Sequence, residues 1–213
     1  MIRNLIFDID GTLLDSRQDI AGAQIWTLRQ LGVTNVTPEQ VFPLIGRPLK
    51  EIFERLLPPS LHPRIPEGAI LYRDYYRAHA LDTTKLSPGV AETLEDLTTR
   101  GIRCAVATTK STETSKRVLE HFGIARFFRH IQGNEEGMPF KPDPAIIVKI
   151  LETLQWKAVE TGMVGDSDYD ILAGQRAGVK TCAVTYGACP RAVFLPLKPD
   201  RIIDEISELR VFC

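Results

Sequence analysis

The run Asn4-Leu5-Ile6-Phe7-Asp8-Ile9-Asp10-Gly11-Thr12-Leu13-Leu14-Asp15-Ser16 constrains this chain more than any other stretch. Leu5 to Phe7 form an unbroken apolar run, closed by two aspartates and a glycine. Such a run reads as a parallel strand buried on both faces, whose carboxyl end opens into a loop. That strand end is where an open α/β sheet keeps its chemistry. In extended chain, residues two apart point the same way, so Asp8 and Asp10 can present their carboxylates to one pocket. Two readings are open for the pair. They could be turn residues making Asx hydrogen bonds, or acids made tolerable together by a hard divalent cation such as Mg²⁺, which takes oxygen ligands. A calcium loop of the helix–loop–helix kind does not fit, because Gly11 follows Asp8 too closely to be that loop's glycine.

Further along, strand and helix signals alternate. Leu86-Ser87-Pro88-Gly89-Val90 turns into a helix ending near Gly101, and Ile102-Arg103-Cys104-Ala105-Val106-Ala107 reads as a strand stopping at Thr108-Thr109-Lys110. A helix is predicted over 115–122, closed by Gly123, and His130-Ile131-Gln132 is a short strand. Phe140-Lys141-Pro142-Asp143-Pro144 leads into a helix over 145–154, Met163-Val164-Gly165-Asp166 is a strand end, and a last strand follows Gly178 over 181–185. This alternation predicts an α/β fold with a Rossmann-like, doubly wound parallel sheet.

The intervening text is helical. Asp15 and Ser16 are N-cap residues for a run through Ile20, Ala23, Trp26, Leu28 and Leu31 that ends at Gly32. New starts follow at Thr37-Pro38-Glu39 and Arg47-Pro48, with a break at Pro58-Pro59 and a final run over 66–80. The expected organisation is a core of residues 1–15 and 86–213, with an all-helical insert over 16–85.

At 213 residues the chain can bury a real core. A formal net charge of −1 with interspersed signs offers no basic face, so no nucleic-acid partner is expected. No apolar run reaches bilayer-crossing length and the N-terminal text lacks a signal-peptide pattern, so no membrane partner is expected either. Cys104, Cys182, Cys189 and Cys213 show no metal-binding or redox spacing. Cys104 and Cys182 lie inside apolar runs and read as buried, reduced thiols, which points to the cytoplasm. His62, His79, His121 and His130 are scattered and take no catalytic role.

Four strand-end sites stand in order: Asp8-Ile9-Asp10-Gly11-Thr12, Thr108, Lys141-Pro142 and Gly165-Asp166-Ser167-Asp168-Tyr169-Asp170. This set resembles the haloacid dehalogenase-like hydrolase superfamily, and within it the phosphoglycolate phosphatase-like group with a helical C1-type cap between the first and second motifs. The resemblance spans essentially the whole chain. It implies a Mg²⁺-dependent phosphatase acting on a small phosphorylated metabolite, such as 2-phosphoglycolate, as a monomer or homodimer. By the same resemblance, Asp8 would attack phosphorus and form an aspartyl-phosphate, and Asp10 would protonate the leaving oxygen and then activate water. Mg²⁺ would be held by the Asp8 carboxylate, the Asp10 backbone carbonyl and Asp166. Thr108 would donate to the phosphoryl oxygens, Lys141 would supply positive charge, and Gly11 and Thr109 would lie against the substrate. Ser167 and Asp170 would orient the site from behind.

Arg47, in Ile45-Gly46-Arg47-Pro48, matches a cap loop of that group and offers a fork for a substrate carboxylate or phosphate. Lys110 stands where the family more often reads Thr-Asn-Lys, with Thr109 in place of the asparagine. Plainer alternatives stay open for several of these residues. Thr108 could cap the following helix, Lys141 could be a solvated loop lysine, Asp166 and Asp170 could be a turn and an N-cap, and Arg47 could be a surface arginine. Other activities compatible with the motifs are a sugar phosphomutase and a phospho-acceptor protein without turnover. Gly11-Thr12-Leu13 matches the phosphatase form better, and a mere acceptor needs no acid–base partner such as Asp10.

Overall fold

The computed structural model describes residues 2–212, so Cys213 lies outside the described residues. The chain divides into two compact units, Met1–Leu14 with Leu86–Cys213, and Asp15–Lys85. The first strand, β1 (Asn4–Phe7), is buried along its whole length, as its apolar run demands. The chain leaves through β2 (Leu14–Asp15) and builds the helical unit from α1 (Arg17–Gln30), α2 (Pro38–Val41), α3 (Leu49–Leu56) and α4 (Ile65–His79). It returns through β3 (Lys85–Leu86).

The helical unit has a core of its own, in which Leu28, Leu31, Phe53, Leu57 and Ile65 are buried together. Proline sets several of its boundaries. Pro38 stands at N1 of α2 and Pro48 is the N-cap of α3, positions where its missing N–H leaves no bond unmade. Asp19 ties α1 to the end of the unit. Its Oδ1 and Oδ2 accept from the backbone N–H and hydroxyl groups of both Thr83 and Thr84, at 2.6–3.0 Å.

In the α/β unit, α5 (Val90–Thr99) precedes β4 (Arg103–Ser111), α6 (Thr112–His121) and β5 (Phe128–Asn134). Then come α7 (Ala145–Leu154), β6 (Thr161–Gly165), α8 (Asp168–Arg176), β7 (Lys180–Val184), α9 (Arg191–Phe194) and β8 (Arg201–Ile203). The sheet order is β5-β4-β1-β6-β7-β8 and every recorded pairing is parallel. From β1 the chain works outward to β4 and β5, then crosses back to β6 and works outward the other way. The switch falls at β1, the place where such sheets bind ligands beyond the carboxyl ends of their strands. Ile6, Ala105, Ile147, Ile150, Met163 and Ala173 are among the residues that pack the core beneath.

The structure differs from the sequence expectation at several elements. Strand β5 extends two residues beyond 130–132 at each end, and α8 has no counterpart among the expected elements. Strand β4 continues past Ala107 through Thr108, Thr109 and Lys110, because its pairing with β5 resumes at Ser111 and Asn134 after an irregularity. Helix α6 starts a turn earlier than residue 115, since the Ser111 hydroxyl accepts from the Thr114 N–H and supplies the cap. Strand β8 went unread because its apolar part is only Ile202-Ile203, too short to stand out, and its place is set by pairing with β7. Cys104 and Cys182 are buried in β4 and β7. Among the described residues no helix is long and apolar enough to cross a membrane.

Candidate active site

Asp8 follows β1 directly and is pinned by its N–H, which donates to the Val164 carbonyl of β6 at 2.9 Å. The chain then folds back sharply, with the N–H groups of Thr12, Leu13 and Leu14 all directed to the Ile9 carbonyl. Gly11 makes this turn possible with φ +81°, a conformation that favours glycine. The volume a side chain would need there is filled by the Asp166 carboxylate, so the backbone of one strand-end loop lies directly against the acid of another. Asp10 is buried, and its Oδ2 lies 3.1 Å from Lys110 Nζ, whose side chain is only 6% exposed. The structure thus brings Lys110 into the group and gives it a carboxylate partner.

At the end of β4, Thr108 is fully buried and its hydroxyl oxygen accepts from the Lys110 N–H at 3.3 Å. Because Ser111 supplies the cap of α6, the reading of Thr108 as that cap is overturned. The solvated-loop reading of Lys141 is overturned as well, since its side chain is 3% exposed. Its ammonium donates to Asp8 Oδ1 at 2.8 Å, Asp170 Oδ1 at 2.5 Å and the Ala107 carbonyl at 3.1 Å. These acceptors use all of the ammonium's donors, which is what a charge needs in order to be buried.

After β6, Ser167 is the N-cap of α8 and Asp170 is its N3 residue, in a reciprocal capping box. The Asp170 Oδ2 accepts from the Ser167 N–H at 3.1 Å and from its hydroxyl at 2.5 Å. Asp170 is therefore not the N-cap; its other oxygen is spent on Lys141. Asp166 Oδ1 accepts from the Thr12 hydroxyl at 3.2 Å, and Oδ2 from the Ala188 N–H at 2.6 Å. Thr109 is half-buried beside Thr108.

Ligand oxygens of Asp8, Asp166 and Asp170 all lie within 4.8 Å of one another. Burial, with Asp170 and Asp10 adding to it against Lys141, pushes the Asp8 carboxyl up to about 7. Burial first, then the charges of Asp170 and Asp8, holds Asp166 well above the usual carboxylate range. Burial works against the Lys141 charge, yet Asp170 and Asp8 outweigh it and hold the ammonium above its ordinary value. The site is a buried cluster in which carboxyls outnumber the ammonium groups that could neutralise them, and burial pushes two of those carboxyls toward their protonated forms.

Arg47 belongs to the helical unit, where its Nη1 lies 3.0 Å from Glu51 Oε1 across one helical turn. Two features escaped sequence reading, the Thr12 hydroxyl and the Ala188 N–H on Asp166. A backbone donor has no residue signature. The one available signal was positional, since Thr185-Tyr186-Gly187 is a fifth segment directly following a strand of the same sheet.

A model of the haloacid dehalogenase-like hydrolase family matches residues 5–184. The chain belongs to that family, and it is an enzyme. It is 35% identical over 186 residues to a phosphoglycolate phosphatase of Aquifex aeolicus, spanning 87% of this chain and 86% of that one. It is 31% identical over 208 residues to the pyrophosphatase PpaX of Bacillus mycoides, spanning 98% of this chain and 95% of that one. Among solved structures, a haloacid dehalogenase-like hydrolase from Streptococcus pneumoniae superposes with a TM-score of 0.91 at 29% identity, covering 99% of this chain and 98% of that one.

Proposed function

We propose that this chain is a Mg²⁺-dependent phosphatase that hydrolyses a small phosphorylated metabolite through an aspartyl-phosphate on Asp8, with 2-phosphoglycolate the first candidate. The observation that carries the reading is Lys141, buried at the strand ends with its ammonium shared between Asp8 and Asp170. A buried cation on the proposed nucleophile is what an incoming phosphoryl dianion requires.

In the first step a carboxylate oxygen of Asp8 forms a bond to phosphorus as the bond to the leaving oxygen breaks, and Asp10 gives that oxygen its proton. In the second, Asp10 takes a proton from water as the water oxygen attacks phosphorus, and the acyl-phosphate bond breaks to return Asp8 and free phosphate. The Thr108 hydroxyl donates to the phosphoryl oxygens, Lys141 supplies positive charge that holds phosphate and nucleophile together, Gly11 and Thr109 line the approach, and Lys110 fixes the Asp10 carboxyl. The donor set suits a hard divalent cation. Three buried carboxyls share one ammonium, so two of them can carry charge together only when another cation replaces their protons. Asp8, Asp166 and the Asp10 carbonyl would hold Mg²⁺, which supplies positive charge that offsets the repulsion between nucleophile and phosphate. Asp170, spent on Lys141 and Ser167, orients rather than ligates.

The helical unit over 15–85 would act as a cap, with Arg47 selecting substrates that carry a second anionic group. Relatives named phosphoglycolate phosphatase and pyrophosphatase support this, because both named substrates carry such a group beside the scissile phosphate. The enzyme is read as cytoplasmic, a monomer or homodimer, with no nucleic-acid or membrane partner. A panel of phosphate esters and pyrophosphate, assayed with Mg²⁺ and with excess chelator, tests the proposal. Many turnovers per chain are expected with Mg²⁺ and none with chelator, with 2-phosphoglycolate or pyrophosphate ahead of a simple aryl phosphate. Undiminished turnover in chelator would overturn the metal requirement, and release limited to one phosphate per chain would make the protein a phospho-acceptor.

A further inference from the structure

The Asp166 carboxylate is gripped from two sides, and only one grip belongs to the motifs above. Thr12 holds Oδ1 through its hydroxyl. Oδ2 is held by the Ala188 N–H at 2.6 Å, and the Asp166 carbonyl accepts from the Cys189 N–H at 3.2 Å. The segment that supplies these donors follows β7 and is latched to the first strand-end loop, since the Tyr186 hydroxyl donates to the Thr12 carbonyl at 3.1 Å. Between latch and donor stands Gly187. Its φ lies outside the positive range, so conformation does not call for glycine there. Space does, because a Cβ at Gly187 would collide with the Asp166 side chain and the Gly11 carbonyl.

We infer that Tyr186, Gly187 and Ala188 are positioning residues of the metal centre: Ala188 aims the Asp166 carboxylate, Gly187 lets the backbone come close enough to do so, and Tyr186 holds the segment against Thr12. This rests on the reading of Asp166 as a metal-bearing carboxylate. A carboxylate oxygen has more than one lone pair, so the Ala188 bond fixes Oδ2 in direction while leaving it able to bind a cation. Orienting contacts behind metal ligands are worth about 10–100-fold in metal affinity.

The probe is Mn²⁺, a hard divalent cation whose free form is read directly by electron paramagnetic resonance, titrated into metal-stripped wild type, Gly187→Ala and Tyr186→Phe. Each protein is also melted in chelator, where no metal contributes. Gly187→Ala should raise the Mn²⁺ Kd by about 10–100-fold by displacing Asp166. Tyr186→Phe, which removes only a hydroxyl at the far end of the latch, should raise it by about 2–10-fold, the size of one neutral hydrogen bond. A merely structural role would lower the melting point in chelator and leave the Kd unchanged. If Gly187→Ala does not fold, Tyr186→Phe decides alone. Wild-type affinity in every variant that folds would overturn this inference and leave the phosphatase reading standing. Failure of the wild type itself to bind Mn²⁺ would overturn both.

Discussion

Asp19 in the helical unit and Asp8 at the strand ends are both buried aspartates, and their surroundings drive them in opposite directions. Burial pushes each carboxyl up. At Asp19 the hydroxyl and N–H groups of Thr83 and Thr84 outweigh burial and bring the carboxyl below its usual range. At Asp8 burial is reinforced by Asp170 and Asp10, and Lys141 only partly offsets them, so the carboxyl rises to about 7. The difference separates two uses of the same residue. Asp19 receives from the protein all the donors it needs and closes a fold. Asp8 shares its cation with another acid, and the charge left over belongs to whatever binds.

The largest expected effect breaks the strand-end side of this contrast. Asp8→Asn should end turnover, because an amide cannot form the acyl-phosphate. Its melting temperature in chelator should stay level or rise, since one of the crowded acids is gone and an amide oxygen can still accept from Lys141. Phosphate-release assays and calorimetry check the two halves, and steady turnover by this variant would refute Asp8 as nucleophile. Next in size, Asp10→Asn should lower kcat by ~10²–10⁴-fold for an alkyl phosphate with little change in substrate binding. The loss should shrink for pyrophosphate, whose leaving group needs less help from an acid. A uniform loss on both substrates would show that Asp10 matters for more than proton transfer.

Asp19→Ala tests the opposite side. Hydrogen bonds to a charged group are worth about 1.5–3 kcal/mol, and a loss of that order in unfolding free energy is expected at neutral pH. Because the folded carboxyl lies below its unfolded value, this stabilisation is complete above the ordinary carboxylate range and is lost as the pH falls through the lower folded value. Denaturant unfolding of wild type and variant should therefore converge in acid. Divergence that persists at the lowest pH would assign the effect to packing.

The smallest effect concerns Asp8 and Asp166 with their raised values. Here the folded state holds protons more tightly than the unfolded chain, so their contribution to metal-free stability declines as the pH rises above the ordinary carboxylate range, for Asp8 up to about 7. A cation must displace those protons. Mg²⁺ affinity should rise by up to about tenfold per pH unit for each proton displaced, with the share due to Asp8 levelling off above about 7. Calorimetric titrations at three pH values measure it, and a flat profile would mean that the acids are already ionised without metal.

Much of the fold was legible because its signals are local. The apolar run of β1, the periodic helices α5 and α7 and the proline starts of the helical unit are properties of neighbouring residues, and they survive without knowledge of the rest. The order of acidic and basic residues at strand ends was legible too, since strand ends can be counted along the chain. What only the tertiary structure decided is which partner each charge takes. Lys141 reaches Asp8 across 133 positions and Asp170 across 29, Lys110 goes to Asp10, and Asp166 depends on a backbone N–H 22 positions away. The same holds for the cap of α6, where Ser111 and Thr108 are equally suitable by residue type and the pairing of β4 with β5 chooses between them. The physical reason is that hydrogen bonds and ion pairs depend on separation in space. For these residues, separation is set by strand order and register, which no local stretch of sequence carries.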